Sequence, residues 1–188
     1  MTVFTSRIIV ALLVGVRLLL METAAMIVNS RSTVDANKAV VTNWFEGLSG
    51  ERELDYAVIA SDVVNHTASA LGLREGAENF KRVMEIVQVA APDQKWKVQG
   101  LIAEGDLVAC RVTWSGTHRG PFLGVHATNR PFSVEHIHIF RVTDGRIAEH
   151  WAVRDDLAML RQIGVVPDPR SRGHESGPSS QTPQSVSV

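Results

Sequence analysis

Large apolar residues recur at helical spacing through the first half of the chain and alternate with polar ones through the second. The change falls at Pro92. Val40, Val41, Trp44, Phe45 and Leu48 form one stripe at a period near 3.6, with Ser32 or Thr33 able to cap the helix and Gly47 and Ser49-Gly50 ending it. A second short helix is predicted from about Glu53 to Ala60, with Leu54, Val58 and Ile59 inward, and Asp62 to His66 is predicted to be extended. Phe80, Val83, Met84 and Val87 mark a third helix from about Arg74 to Ala90. Beyond Pro92, Trp96–Ala103 and Leu107–Trp114 are strand-like runs joined at Gly105-Asp106, and a glycine-punctuated connection leads from Gly116 to Pro131. Another hairpin turns at Asp144-Gly145, and Asp156 is placed to cap a last helix with Leu157, Leu160 and Ile163 apolar and Gly164 as its stop. Helices first and hairpins after predict an α+β fold: a curved antiparallel sheet forming a cone, N-terminal helices packed on it, and a pocket on its concave face.

The last hairpin concentrates the candidate chemistry. With Asp144 and Gly145 as a two-residue turn, Thr143 faces Arg146 and Val142 faces Ile147. Continued without a bulge, the ladder sets Phe140 against Glu149, His138 against Trp151, His136 against Val153 and Val134 against Asp155. Side chains alternate between faces, so His136, His138, Phe140, Trp151 and Asp155 share one side, and Glu135, Ile137, Ile139, Arg141, His150 and Arg154 take the other. Two imidazoles, an indole and a carboxylate among apolar neighbours make a pocket wall. A three-residue loop with a bulge would slip this register.

Composition narrows the class. The 188 residues suit one domain with tails, and a formal net charge of −1 with no clustered basic face argues against nucleic acid as a partner. The single cysteine, Cys110, excludes an internal disulfide or a CxxC motif and reads as a buried small hydrophobe. Residues 1–30 are expected to be a leader or extension. The apolar run Ile8–Leu20 is short for a membrane span and carries Arg17, so no stable span is expected. Thr23-Ala24-Ala25 could end a signal peptide; the cytoplasm is the preferred location and export the alternative. Residues 31–167 form the expected domain, and the polar stretch 168–188 is expected to be disordered.

Six motifs, in order, make the chain from about Val34 to Gly164 resemble the SnoaL-like polyketide cyclases (ester cyclases) of the nuclear-transport-factor-2-like superfamily. They are Asp62-Val63-Val64-Asn65-His66, Ala91-Pro92-Asp93, Glu104-Gly105-Asp106-Leu107-Val108, Gly116-Thr117-His118-Arg119-Gly120, Asp144 to Trp151, and Asp155 followed by Leu160 to Gly164. The resemblance implies a cofactor-free intramolecular aldol condensation, with a carboxylate after the final strand as acid/base. It matches that carboxylate to Asp155, sets Arg141 where those cyclases carry a second functional histidine, and places His66 at the cavity mouth.

Asp155 is therefore the first catalytic candidate, with Asp156 assigned to the helix cap and His138 as proton partner or carbonyl polariser. His66, His136, Trp151, Trp114 and Phe140 are the substrate-binding candidates. His136-x-His138 puts two imidazoles on one side of a strand, but nothing like His-Glu-x-x-His is present and no metal is assigned. The expected partner is a hydrophobic carbonyl compound of polyketide type, processed by cyclisation or isomerisation. A non-catalytic binding protein of the same superfamily is the alternative. Ile137 and Ile139 on the outer face predict a homodimer.

Overall fold

A computed structural model describes residues 2–67 and 76–167. Helix α1 runs from Thr2 to Leu48 without a break. It passes through the boundary expected at residue 30, and neither Ser32 nor Thr33 starts it. The Thr33 hydroxyl instead donates to the Asn29 carbonyl one turn back, at 3.0 Å. Val41, Trp44, Phe45 and Leu48 bury the C-terminal stripe against the sheet, whereas Leu18, Leu19, Leu20, Met26 and Val28 are exposed. Among the described residues, no helix is long and apolar enough to cross a membrane. The tail from residue 168 lies outside the described residues.

The helix expected over Glu53–Ala60 is only a 3₁₀ turn, Tyr56–Val58, capped by the Asp55 carboxylate. The chain then enters β1 (Ile59–Asn65), where β-branched residues at Ile59 and Val63 face the core. Helix α2 (Ala77–Ala90) buries Phe80, Val83, Val87 and Ala90 as its stripe predicts. Four strands follow: β2 (Lys95–Glu104), β3 (Leu107–Thr117), β4 (Pro131–Thr143) and β5 (Arg146–Arg154), before the short helix α3 (Asp156–Gln162).

The strand order is β1-β5-β4-β3-β2. Every pairing from β2 to β5 is antiparallel, but β1 joins the edge of β5 in parallel, so the sheet is mixed where a wholly antiparallel one is expected. No tight turn connects β1 to its partner, so the sequence between them carries no signal of direction. Both two-residue turns form as expected. Asp144 and Gly145 take positive φ angles of 50° and 71°, the mirror-image turn that matches strand twist.

The β4–β5 register breaks three residues beyond the turn. Val142 pairs with Ile147, but Arg141 pairs with Glu149, which leaves Ala148 as an extra residue on β5. From there Phe140 faces His150, Ile139 faces Trp151, His138 faces Ala152 and His136 faces Arg154. The slip exchanges the two faces of β5 relative to the bulge-free ladder. On β4 the expected alternation is intact, with Phe132, Val134, His136, His138, Phe140 and Val142 all buried.

Candidate active site

On the concave side, β3, β4 and β5 meet α2 around a cavity of about 40 Å³. Val83, Met84 and Val87 of α2, with Trp96, Trp114 and Phe122, supply apolar walls; Asn65, His136, His138, His150 and Arg154 bring the polar groups. Gln94 ties the aromatic floor together. Its Oε1 accepts both indole N–H groups, from Trp96 at 2.8 Å and Trp114 at 3.0 Å, and the two indoles stack with centroids 5.3 Å apart.

Of the expected site residues, His136, His138 and Trp114 line this cavity. Phe140 is buried behind it, stacked on His138 and His150. Trp151 and His66 are elsewhere. The bulge turns Trp151 to the outer face, where its ring lies flat on His66 with 4.6 Å between centroids. His66 Nε2 there sits 3.1 Å from Glu149 Oε2, and Arg141 bonds both Glu149 and Asp106. These hydrogen bonds, from His66 first and Arg141 second, hold the Glu149 carboxyl below its ordinary range. Arg141 thus points away from His138, as the alternation on β4 requires.

Asp155, expected on the concave face, does not line the cavity either. It is exposed and caps α3, accepting the Ala158 N–H at 2.9 Å, while Asp156 accepts from Arg154 Nη2 at 2.8 Å. The desolvating wall expected around it is absent, because Trp151 faces outward and Val153 is 75% exposed. A cap of this kind contributes about 0.5–2 kcal/mol, and asparagine serves nearly as well as aspartate. Asp155→Ala should accordingly lower the unfolding free energy by that much, and the denaturant midpoint with it, while Asp155→Asn leaves both almost unchanged. Equal midpoints for the two variants would remove the capping role.

The same bulge brings inward two residues expected outside, Arg154, which now lines the cavity, and His150. His150 forms a buried chain with His138 and Asn65. His138 Nδ1 lies 2.9 Å from His150 Nε2, and His150 Nδ1 lies 3.0 Å from Asn65 Oδ1. Asn65 had a readable signal. It stands two residues after Val63 on β1, so period-two alternation puts both inward and sends His66 out. His150 had none, since its face depends on the bulge at Ala148.

All three imidazoles are held neutral. Burial, then the Arg154 charge, pushes His136 down to about 4 despite the opposing field of Asp155. Burial, then Arg154 and His66, pushes His150 down to about 3. His138 is driven well below the ordinary imidazole range by burial, His150, His136 and Arg154. Both nitrogens of His136 and the Nε2 of His138 are buried without a hydrogen-bond partner, although imidazole nitrogens in native cores are nearly always bonded. Unbonded donors and acceptors facing a cavity are what a polar ligand would satisfy. Among the described residues, no group of three or more His, Cys, Asp or Glu is placed to hold a metal ion.

Residues 30–163 match the family model for the SnoaL-like polyketide cyclases. The chain belongs to that family. This SnoaL-like chain is 29% identical over 107 residues to the nogalonic acid methyl ester cyclase of Streptomyces nogalater, a match covering 56% of this chain and 80% of the relative. It is 40% identical over 60 residues to the aklanonic acid methyl ester cyclase DnrD of Streptomyces peucetius, covering 32% of this chain and 41% of that one. The crystal structure of wild-type IdmH from Streptomyces antibioticus superposes with a TM-score of 0.56 at 35% identity, over 69% of this chain and 99% of IdmH. The matched stretch takes in Asn65, His136, His138 and His150, so the whole imidazole cluster of this SnoaL-like chain lies within the family domain.

Proposed function

We propose that the chain is a polyketide cyclase that closes a ring by intramolecular aldol condensation, with His138 moving the proton and His136 donating a hydrogen bond to the carbonyl oxygen. The observation that carries this reading is the set of unpartnered imidazole nitrogens facing the apolar cavity. An aldol closure needs a base for the proton α to one carbonyl and a donor to the oxygen of the other. His138 Nε2 takes the α-proton, the resulting enolate carbon bonds to the second carbonyl carbon while an N–H of His136 hydrogen-bonds the forming alkoxide, and the His138 imidazolium then gives its proton to that oxygen. The rings are 5.5 Å apart, centroid to centroid, close enough to serve two carbonyls of one substrate. Arg154, the charged residue lining the cavity, stabilises the enolate, and the enolate in turn supplies the counter-charge that an imidazolium needs in a buried site. On this reading Asp155 serves the fold, and the proton transfer expected of it passes to His138.

Polyketide methyl esters of the kind named for the relatives are the first substrates to test. The cavity holds only a few water molecules' worth of space, so a polycyclic ligand requires Met84 and its neighbours to give way, which an unbranched thioether does readily. Nogalonic acid methyl ester should quench Trp96 and Trp114 fluorescence on binding and be converted to a ring-closed isomer of unchanged mass. Quenching without conversion would favour the non-catalytic binding reading; neither effect would remove this substrate class.

The uncovered outer face of the sheet supports a homodimer, with Ile137 at 43% and Val153 at 75% exposure standing beside each other on β4 and β5. Ile137→Lys should then shift the sedimenting species from dimer to monomer. A monomeric unsubstituted chain would overturn the assignment.

A further inference from the structure

Which nitrogen of His138 carries its proton follows from the hydrogen-bond chain that runs from it through His150 to Asn65. Asn65 Oδ1 accepts the backbone N–H of Thr67 at 3.1 Å, and that N–H can only donate. The oxygen, not the amide nitrogen, is therefore the atom that meets His150 Nδ1 at 3.0 Å. His150 Nδ1 must then carry the hydrogen. His150 is neutral, so its Nε2 holds a lone pair and accepts from His138 Nδ1 at 2.9 Å. His138, also neutral, is left with its lone pair on Nε2, the nitrogen that is buried and unpartnered.

We propose that Asn65 and His150 are positioning residues that lock His138 in the Nδ1–H tautomer and so present its Nε2 lone pair to the substrate. The lock runs in one direction, from the Thr67 backbone through Asn65 and His150 to His138, and each link is buried or partly buried. Phe80 packs edge-on and Phe140 face-on against the His150 ring, at 5.6 and 4.8 Å between centroids, which holds it in line. When His138 accepts a proton at Nε2, its Nδ1–H keeps pointing at the His150 lone pair, so no hydrogen bond is broken during the transfer. An aspartate at position 65 would stabilise a charged His150; a neutral amide orients it without doing so. The base is accordingly weak and suits a carbon acid flanked by two carbonyls, whose proton leaves readily.

This deepens the reading of His138 as the proton acceptor, and its test separates the two. Histidine side-chain ¹⁵N–¹H correlation spectra of the full chain near pH 7 should show hydrogen on Nδ1 and a lone pair on Nε2 for both His138 and His150. In Asn65→Ala the His138 signal should lose that single-tautomer form, and turnover of the methyl ester substrate should fall about 10²-fold or more, the kind of loss a misassigned histidine tautomer causes in a catalytic triad. Hydrogen on Nε2 of either histidine in the unsubstituted chain overturns the lock, and needs neither a substrate nor a stable variant. Correct tautomers there, scrambled ones in Asn65→Ala and undiminished turnover would leave the lock standing and overturn His138 as the base.

Discussion

Replacing His138 by glutamine should lower turnover of an aromatic polyketide methyl ester about 10²–10⁴-fold, the usual worth of a positioned acid/base group. Glutamine is close to histidine in size, and its amide can still donate to His150 Nε2, so the buried chain to Asn65 keeps a partner at each position. What it lacks is a lone pair basic enough to accept a proton from carbon. The fold should lose only about 1 kcal/mol, the typical net value of one altered hydrogen bond. His138→Ala is a poorer test, because it leaves the His150 lone pair unbonded and opens a void beside Phe45 and Phe140, which His138 touches edge-on and face-on. Substrate binding, read from indole fluorescence, should change little in His138→Gln. Turnover equal to that of the unsubstituted chain would place the base elsewhere, and the same variant made at His136 would then show whether the other free imidazole holds it.

Acid should unfold this protein through its imidazoles before most carboxylates protonate. The sign follows from the direction of the shifts. Unfolded histidines protonate near 6.5, whereas folded His136 and His150 do so only near 4 and 3, so below 6.5 the unfolded state binds more protons. Stability is full above that pH and falls as pH drops through the interval down to the folded values. Each pH unit inside the interval costs about 1.4 kcal/mol per imidazole. By about pH 4.5 His136 and His150 should each have cost on the order of 3 kcal/mol, and His138 adds a loss of the same sign. Against the roughly 5–15 kcal/mol of a typical domain, that is enough to bring the chain near its unfolding midpoint. Urea titrations at intervals between pH 7 and 4.5 measure the slope directly. His150→Phe, which removes one titrating ring while filling its place beside Phe80 and Phe140, should make the slope shallower. The same slope in both proteins, or a His136 resonance titrating near 6.5, would contradict the burial argument.

The chain's own chemistry determined the parts of this structure that depend on neighbours in sequence. Asp144-Gly145 specifies its turn because both positions need positive φ, and Val134 to Val142 specifies its faces because a strand alternates strictly. From those two facts His136 and His138 were placed correctly on the concave side and Arg141 on the convex one. The stripe on α2 was equally legible, since Phe80, Val83 and Val87 bury one face whatever they pack against. The SnoaL-like family was legible as well, through motifs that mark turns and strand ends.

Tertiary structure decided the rest, where two local choices are nearly equal in energy and a distant contact chooses between them. Ala148 bulges out of β5, and nothing in Arg146-Ile147-Ala148-Glu149 marks it as the extra residue. Burying His150 against Phe80 and Asn65, on elements some 70 to 85 residues away, while freeing Glu149 to meet Arg141 and His66, is what selects that register. The slip put Trp151 outside and His150 and Arg154 inside, which reverses three assignments at once. Asp155 and Asp156 are both competent caps; the pairing of Arg154 with Asp156 leaves Asp155 to do it. The parallel direction of β1 was likewise invisible, because no tight turn joins it to β5. Local sequence fixes conformation wherever one residue's geometry has a single good solution, and packing decides wherever it has two.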